Sequence, residues 1–191
     1  MSTYYTSEAY ILRSYPIGEA DRMVIFYTKT WGRVDVIAKG IRHEKSKLRG
    51  HVILWAPVRI TVTVGRDVWR LIDIEVMQGV DSSRPESFYA AQFCAFLLKL
   101  VTEREESLDL WRTVELLQQL NSYERLAALK IRTLLALGLC PDRTMLTQFF
   151  GKRAVQFIVG AGDAVFLADP VEVAHFEAAI ERILAANHIR A

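Results

Sequence analysis

The sequence predicts a mixed α+β chain: a five-stranded β-barrel over residues 1–79, then an all-helical domain over 80–191 that carries a small hairpin near its C-terminal end. Three observations carry this expectation. Apolar residues recur with a period of two as far as about Gln78, and with a period near 3.6 after Asp81. The run Val58-Arg59-Ile60-Thr61-Val62-Thr63-Val64 alternates strictly, which fits a strand with one apolar face. Five strand-like runs within about seventy residues are too few for a two-sheet sandwich and suit a small closed barrel with an apolar interior.

The strands follow in order. Ala9-Tyr10-Ile11-Leu12 ends at the turn signal Pro16-Ile17-Gly18. Met23 to Tyr27 is β-branched and aromatic, and Thr30-Trp31-Gly32-Arg33 turns it back into Val34-Asp35-Val36-Ile37-Ala38. Val58 to Val64 pairs with Val68 to Val76 through Gly65-Arg66-Asp67. Strict alternation along the last strand puts Trp69, Leu71 and Asp73 opposite Val68, Arg70, Ile72 and Ile74. Ser83-Arg84-Pro85-Glu86 has the form of a helix start, and Phe88 to Val101, apolar nearly all round, predicts a buried helix. Leu108 to Leu120 carries a stripe of Leu110, Val114 and Leu117. A third helix runs from Ser122 as N-cap to Gly138 as stop. Val155 to Val159 and Val165 to Ala168 flank a hairpin turn at Gly160-Ala161-Gly162-Asp163, and Asp169-Pro170 opens a last helix with Val173, Phe176, Ile180 and Ile183 on one stripe.

Of 191 residues, 51% are hydrophobic and 24% charged, which excludes a disordered chain, a collagen-like fibre and a low-complexity tract. Cys94 and Cys140 make no disulfide framework and read as reduced, buried thiols. His43, His51, His175 and His188 stand alone, without the paired spacing of a zinc site. The polar start Met1-Ser2-Thr3-Tyr4-Tyr5 does not resemble a signal peptide, and no apolar run approaches the roughly 18 residues of a membrane span. The expectation is a soluble cytoplasmic protein that does not engage a membrane.

The net charge of +2 speaks against a nucleic-acid partner until it is divided. Residues 1–79 carry 12 basic and 8 acidic side chains, net +4; the remaining 12 basic and 14 acidic give −2. The positive charge concentrates in Lys39-Gly40-Ile41-Arg42-His43-Glu44-Lys45-Ser46-Lys47-Leu48-Arg49-Gly50-His51, five Lys or Arg against one Glu. Flexible cations between Gly40 and Gly50 suit a phosphate backbone and the release of its counterions; an ordinary solvated loop is the alternative. Arg13, Arg22, Arg33, Arg66 and Arg70 can extend this surface. Tyr15, Tyr27, Trp31, Trp55 and Trp69 offer rings for stacking bases, although a barrel core claims most of them for packing. Glu103, Glu105, Glu106 and Asp109 read as a solvated linker between helices. Nothing matches a nucleophile elbow, a phosphate loop or a zinc-protease helix, and Gly160-Ala161-Gly162 is a turn rather than a dinucleotide fingerprint, so no enzyme and no cofactor are expected.

The stretch Glu8-Ala9-Tyr10-Ile11-Leu12-Arg13-Ser14-Tyr15-Pro16-Ile17-Gly18-Glu19-Ala20-Asp21-Arg22 resembles the opening of the RecO family of bacterial recombination and repair mediators. So do Phe26-Tyr27-Thr28, Gly32-Arg33, Ala38-Lys39-Gly40-Ile41-Arg42 and the basic run Lys45-Ser46-Lys47-Leu48. A weaker likeness continues through Glu124, Leu134 to Leu139 and Pro141-Asp142. The resemblance implies an N-terminal OB-fold, binding of single- and double-stranded DNA, annealing of complementary strands, and no covalent chemistry. It implies action with RecR, and in some lineages RecF, to help RecA displace single-strand-binding protein at the bacterial nucleoid. For phosphate contacts the basic loop offers Lys39, Arg42, Lys45, Lys47 and Arg49, with Arg13, Arg22 and Arg33 behind them. Lys130 and Arg132, near Leu126 and Leu134, are candidates for receiving the acidic, apolar-ended tail of single-strand-binding protein.

Two departures from the family stand out. Many members place a four-cysteine zinc site after the position of Cys140-Pro141-Asp142, whereas Arg143 to Asp169 holds no cysteine, so no metal is expected. The chain is also shorter than usual members. The competing expectations are a protein-interaction adaptor whose basic loop is merely solvated, and an RNA-binding OB-fold module without annealing activity.

Overall fold

In a computed structural model, the described residues are 3–65, 68–77, 88–140 and 170–189, with only the backbone described for 170–176. The five strands are β1 (Tyr4–Ile17), β2 (Asp21–Thr28), β3 (Gly32–Ala38), β4 (Pro57–Val64) and β5 (Trp69–Val76). They close into a barrel in the order β1-β2-β3-β5-β4. Strand β1 is long enough to serve two neighbours, pairing antiparallel with β4 through Tyr4–Tyr10 and with β2 through Ala9–Ile17. Closure is made by a short parallel pairing of β3 with β5, Val36 opposite Trp69 and Ile37 opposite Arg70. The apolar run Ala9–Leu12 thus lies inside a longer strand that includes Pro16 and Ile17, where the turn was expected; proline needs no ladder donor at a strand end.

Alternation fills the interior. Ala9, Ile11, Val24, Phe26, Val34, Val36, Ala38, Val58, Ile60 and Val62 are buried in one cluster, which Leu71 and Ile74 complete from β5. The register between β4 and β5 shifts between Thr61 and Val62, opposite Asp73 and Leu71, so Ile72 is an extra residue. This bulge turns Ile72 outward, 45% exposed, and brings both Leu71 and Ile74 inside, where strict alternation had separated them. Val64, expected on the apolar face, is instead exposed at the strand end. A second bulge between Ile11 and Arg13 lets both Ile11 and Leu12 be buried.

The outer face of β1 and β2 is also apolar, with Tyr10, Ile25 and Tyr27 buried, and this reflects a second layer. The chain divides into two compact units that are not contiguous in sequence: Met1–Glu86 with Val101–Gln118, and Ser87–Leu100 with Gln119–Ala191. In the first unit, helix α2 (Leu108–Glu115), capped by Ser107 accepting from the Leu110 amide, buries Leu110, Trp111, Thr113 and Val114. The Trp111 ring meets Tyr10 at 5.6 Å between centroids, and Gln118 Nε2 donates to the Trp55 carbonyl at 2.7 Å. Ahead of α2, the segment 101–107 is fastened across β3. The Arg104 amide donates to the Arg33 carbonyl at 2.9 Å, and Arg33 donates in turn to the Val101 carbonyl at 3.2 Å. Glu103, Glu105, Glu106 and Asp109 keep exposed side chains, but the segment is a strap on the barrel rather than a free linker.

The second unit holds helices α1 (Phe88–Leu100), α3 (Tyr123–Ala136) and α4 (Pro170–Ala186). Ala127, Ile131 and Leu134 of α3 form a core with Ile180, Ile183 and Leu184 of α4, and Phe96 and Leu100 of α1 pack against it. Ser122 caps α3 as expected, and Gly138, at φ +68°, ends it while the Leu139 amide returns to the Leu134 carbonyl. Burial pushes the Cys94 thiol up, away from the reactive thiolate. The expected helix start at Ser83 and the hairpin at 155–168 lie outside the described residues. No described helix is long and apolar enough to cross a membrane.

The strap makes a direct demand on the β2–β3 hairpin. Gly32 sits at φ +63°, and a Cβ there would strike the Glu105 carbonyl; Gly18, at φ +58°, has open space around it. Gly18→Ala should cost only the left-handed backbone term, about 1–2 kcal/mol, and Gly32→Ala should exceed it by roughly 1–3 kcal/mol. Urea unfolding of the two variants measures the difference, and equal costs would mean the strap is not seated on Gly32.

Candidate nucleic-acid interface

The basic loop between β3 and β4 is built around apolar anchors. Ile41 is fully buried, and Leu48, Val52 and Leu54 pack against the barrel core, so the loop closes one end of the barrel. Between these anchors the backbone makes successive tight turns: His43 to Gly40, Ser46 to His43, Arg49 to Ser46 and His51 to Leu48, each amide donating to a carbonyl three residues back at 3.0–3.3 Å. Arg49–His51 is a single 3-10 turn. Three further bonds tie the loop to the β1–β2 turn. The Gly40 amide donates to Asp21 Oδ1 at 2.7 Å, the Arg42 amide to the Ala20 carbonyl at 3.0 Å, and the Arg42 guanidinium to the Gly18 carbonyl at 3.2 Å. The expected flexible loop is thus an ordered ledge.

Its cations point away from those anchors. Lys39, Arg42, Lys45, Lys47 and Arg49 are all exposed. Among the described residues, Lys39, Lys45, Lys47 and Arg49 have no side-chain hydrogen bond or ion pair, so their charge is open to an external anion. Glu44 is the one carboxylate within the loop. At physiological salt, with a Debye length near 8 Å, neighbouring loop cations still act on one polyanion together.

The arginines expected behind the loop take different positions. Arg13 is exposed on β1, its guanidinium 5.6 Å from the Tyr15 ring centroid. Arg22 lies in an inward-facing row at the barrel end and donates to the Ser14 hydroxyl at 2.9 Å. Arg33 is held by both oxygens of Asp35, at 3.0 and 3.1 Å, and by the Val101 carbonyl, an ion pair that keeps its pKa raised. Arg66 lies outside the described residues, and Arg70 is exposed on β5.

Most barrel aromatics pack. Tyr27 is fully buried, and Trp31 and Trp69 join Tyr5 in a ring cluster, with centroids 5.2–6.1 Å apart, on the core at the end of the barrel away from the loop. Trp55 is half-buried, fixed at φ 63° by bonds to Ile11 and Gln118. Of the five expected rings only Tyr15 is exposed, at 37%. Sequence reasoning overlooked Asp21 and the strap. Asp21 carries no signal of its own, because its role is defined by an amide nineteen residues away.

In the helical unit, Lys130 and Arg132 diverge in role. Lys130 pairs with Glu177 at 3.1 Å and lies 5.8 Å from the Phe96 ring centroid, while the half-buried Arg132 has an interaction of its own. Lys130 and Lys99 border a cleft of about 250 Å³ floored by Phe96, Leu100, Ile180 and Leu184. Among the described residues no three His, Cys, Asp or Glu side chains converge on a metal position, and two cysteines in the whole sequence do not supply a four-cysteine site.

A five-stranded closed barrel with this strand order, its β3–β4 connection stoppering one end, defines an OB-type barrel. The family model described as "Recombination protein O N terminal" matches residues 1–80, the barrel with its loop, so this part of the chain is similar to the N-terminal domain of that family. It is 35% identical over 78 residues to the DNA repair protein RecO of Gloeothece citriformis, covering 41% of this chain and 28% of that protein. The corresponding protein of Synechococcus elongatus is 34% identical over 77 residues, 40% of this chain and 29% of the relative. A longer match, 27% over 136 residues, covers 70% of this chain and 46% of RecO from Trichodesmium erythraeum. Each match spans less than half of the relative's own length.

The geometry gives Arg33 a structural task. Arg33→Ala should lower stability by about 1–3 kcal/mol, because it leaves Asp35 unpaired beneath the strap, while the salt dependence of DNA binding stays unchanged. Denaturation and a salt titration check the two halves; a flattened slope would place Arg33 on a phosphate instead.

Proposed function

We propose that this protein is a DNA repair and recombination mediator whose barrel grips the phosphate backbone of single- and double-stranded DNA through the ledge of Lys39, Arg42, Lys45, Lys47 and Arg49. The observation that carries this reading is the set of four exposed loop cations without internal partners on a backbone braced by its own turns and by Asp21. An ordered ledge loses less conformational freedom on binding than a mobile loop would. Its cations screen two phosphate chains at once, which lets complementary strands approach and anneal. No bond is made or broken, and no cofactor enters. The names of the relatives, all DNA repair proteins of the RecO type, support the same role.

Mediation requires partners, and RecR, RecA, single-strand-binding protein and in some settings RecF are the ones this reading assigns. The apolar floor of the cleft suits the apolar end of the single-strand-binding-protein tail, with Lys99 at its rim for an acidic group, while Lys130 is already paired with Glu177 and Glu181 also lines the cleft. The cytoplasm, at the nucleoid, is where such an assembly works.

Each phosphate contact on a single strand contributes about −0.7 to the slope of log K against log salt. Replacing Lys45, Lys47 and Arg49 together with Ala should flatten that slope by about 2 and weaken binding to any sequence. An unchanged slope removes the ledge from the interface. Annealing of complementary strands coated with single-strand-binding protein, with and without RecR, tests mediation itself, and failure on coated strands alone would leave a DNA-binding barrel without that role.

A further inference from the structure

The outer face of β1, β2 and β3 is organised in cross-strand rows. Tyr10, Tyr27 and Arg33 form the row nearest the β2–β3 hairpin, then Arg13, Ile25 and Asp35, then Tyr15, Met23 and Ile37 nearest the basic loop. The first row is closed: Trp111 covers Tyr10, and the strap 101–107 runs over Arg33. The last row is open. Tyr15 is 37% exposed with Arg13 against its ring, and Met23 and Ile37 are partly exposed beside it. A shallow cleft of about 170 Å³ begins at Met23 and runs toward Trp69.

This open row lies next to the ledge. Ile37 is two residues from Lys39, and Tyr15 is two strands across from Ile37, about 10 Å at ordinary strand spacing. A strand gripped by Lys39 and its neighbours therefore passes within reach of the Tyr15 ring. In a duplex the bases face inward and offer the ring nothing.

We propose that the Tyr15, Met23 and Ile37 row is a nucleobase shelf, with Tyr15 as the stacking ring and Arg13 as its brace, which adds a contact for unpaired bases to the phosphate grip of the ledge. The shelf rests on the DNA-binding reading above, and it supplies a basis for distinguishing single strands from duplex that the ledge by itself lacks. Its extent is limited to one or two bases, because the strap and α2 occupy the rest of the face. Stacking of one base on an aromatic ring suffices for about a tenfold effect on affinity.

The test uses the full chain and three probes of equal length: a single-stranded DNA, the corresponding duplex, and a single strand with abasic sites. Tyr15→Ala should weaken the single strand about tenfold, leave duplex affinity unchanged and leave the salt slope unchanged, since no phosphate contact is lost. Tyr15→Phe should bind like the original protein. The unaltered protein should bind the abasic strand about tenfold more weakly than the normal one, and Tyr15→Ala should show no such difference. Equal loss on single strand and duplex, no loss on either, or an abasic strand that binds the unaltered protein as tightly as the normal strand would overturn the shelf. Failure of the ledge shows instead in the salt slope of the loop variants, so the two outcomes are distinguishable.

Discussion

The architecture depends on the closure of the barrel's apolar interior at its loop end. A five-stranded barrel leaves Val24, Val36 and Ile60 accessible to water unless both ends are stoppered, and here the stopper is Ile41 with Leu48, Val52 and Leu54. These residues alternate with the loop's cations, so burying one set displays the other. The hydrophobic effect that completes the core therefore also presents Lys45, Lys47 and Arg49 to solvent. The β1–β2 turn contributes Asp21 and two carbonyls, which hold the loop where Ile41 can insert.

A second constraint comes from the segment 101–118. Its amphipathic helix buries the outward aromatics of β1 and β2, and the strap ahead of it lies across β3. The face that OB-type barrels commonly use for nucleic acid is narrowed to the rows beside the loop. Exposed carboxylates on the strap, Glu103 and Glu105 among them, make the closed part of that face unfavourable for a polyanion, while the ledge and Arg13 favour one. The chain's own charges thereby favour the loop end of the barrel for a polyanion.

Much of this was legible in the residues. Alternation located the interior strands, the period change located the helices, and dividing the net charge by region located the loop. The family resemblance identified the same segment. The unread parts share a physical origin. The β5 bulge at Ile72 depends on how β4 lies beside it. The length of β1 past Leu12 depends on β2. The buried outer face of β2 depends on a helix some eighty residues later. Arg33 reads as one more surface cation until Asp35 and the Val101 carbonyl surround it.

The sequence by itself determined the type and order of the elements and where positive charge concentrates, because these follow from periodicity and composition within short windows. Only the tertiary structure decided which cations remain open, which aromatics are covered, and that the loop is an ordered ledge. Those properties follow from contacts between residues distant in the chain, and a pairing such as Asp21 with Gly40 or Gly32 with Glu105 leaves no local pattern for a sequence to display.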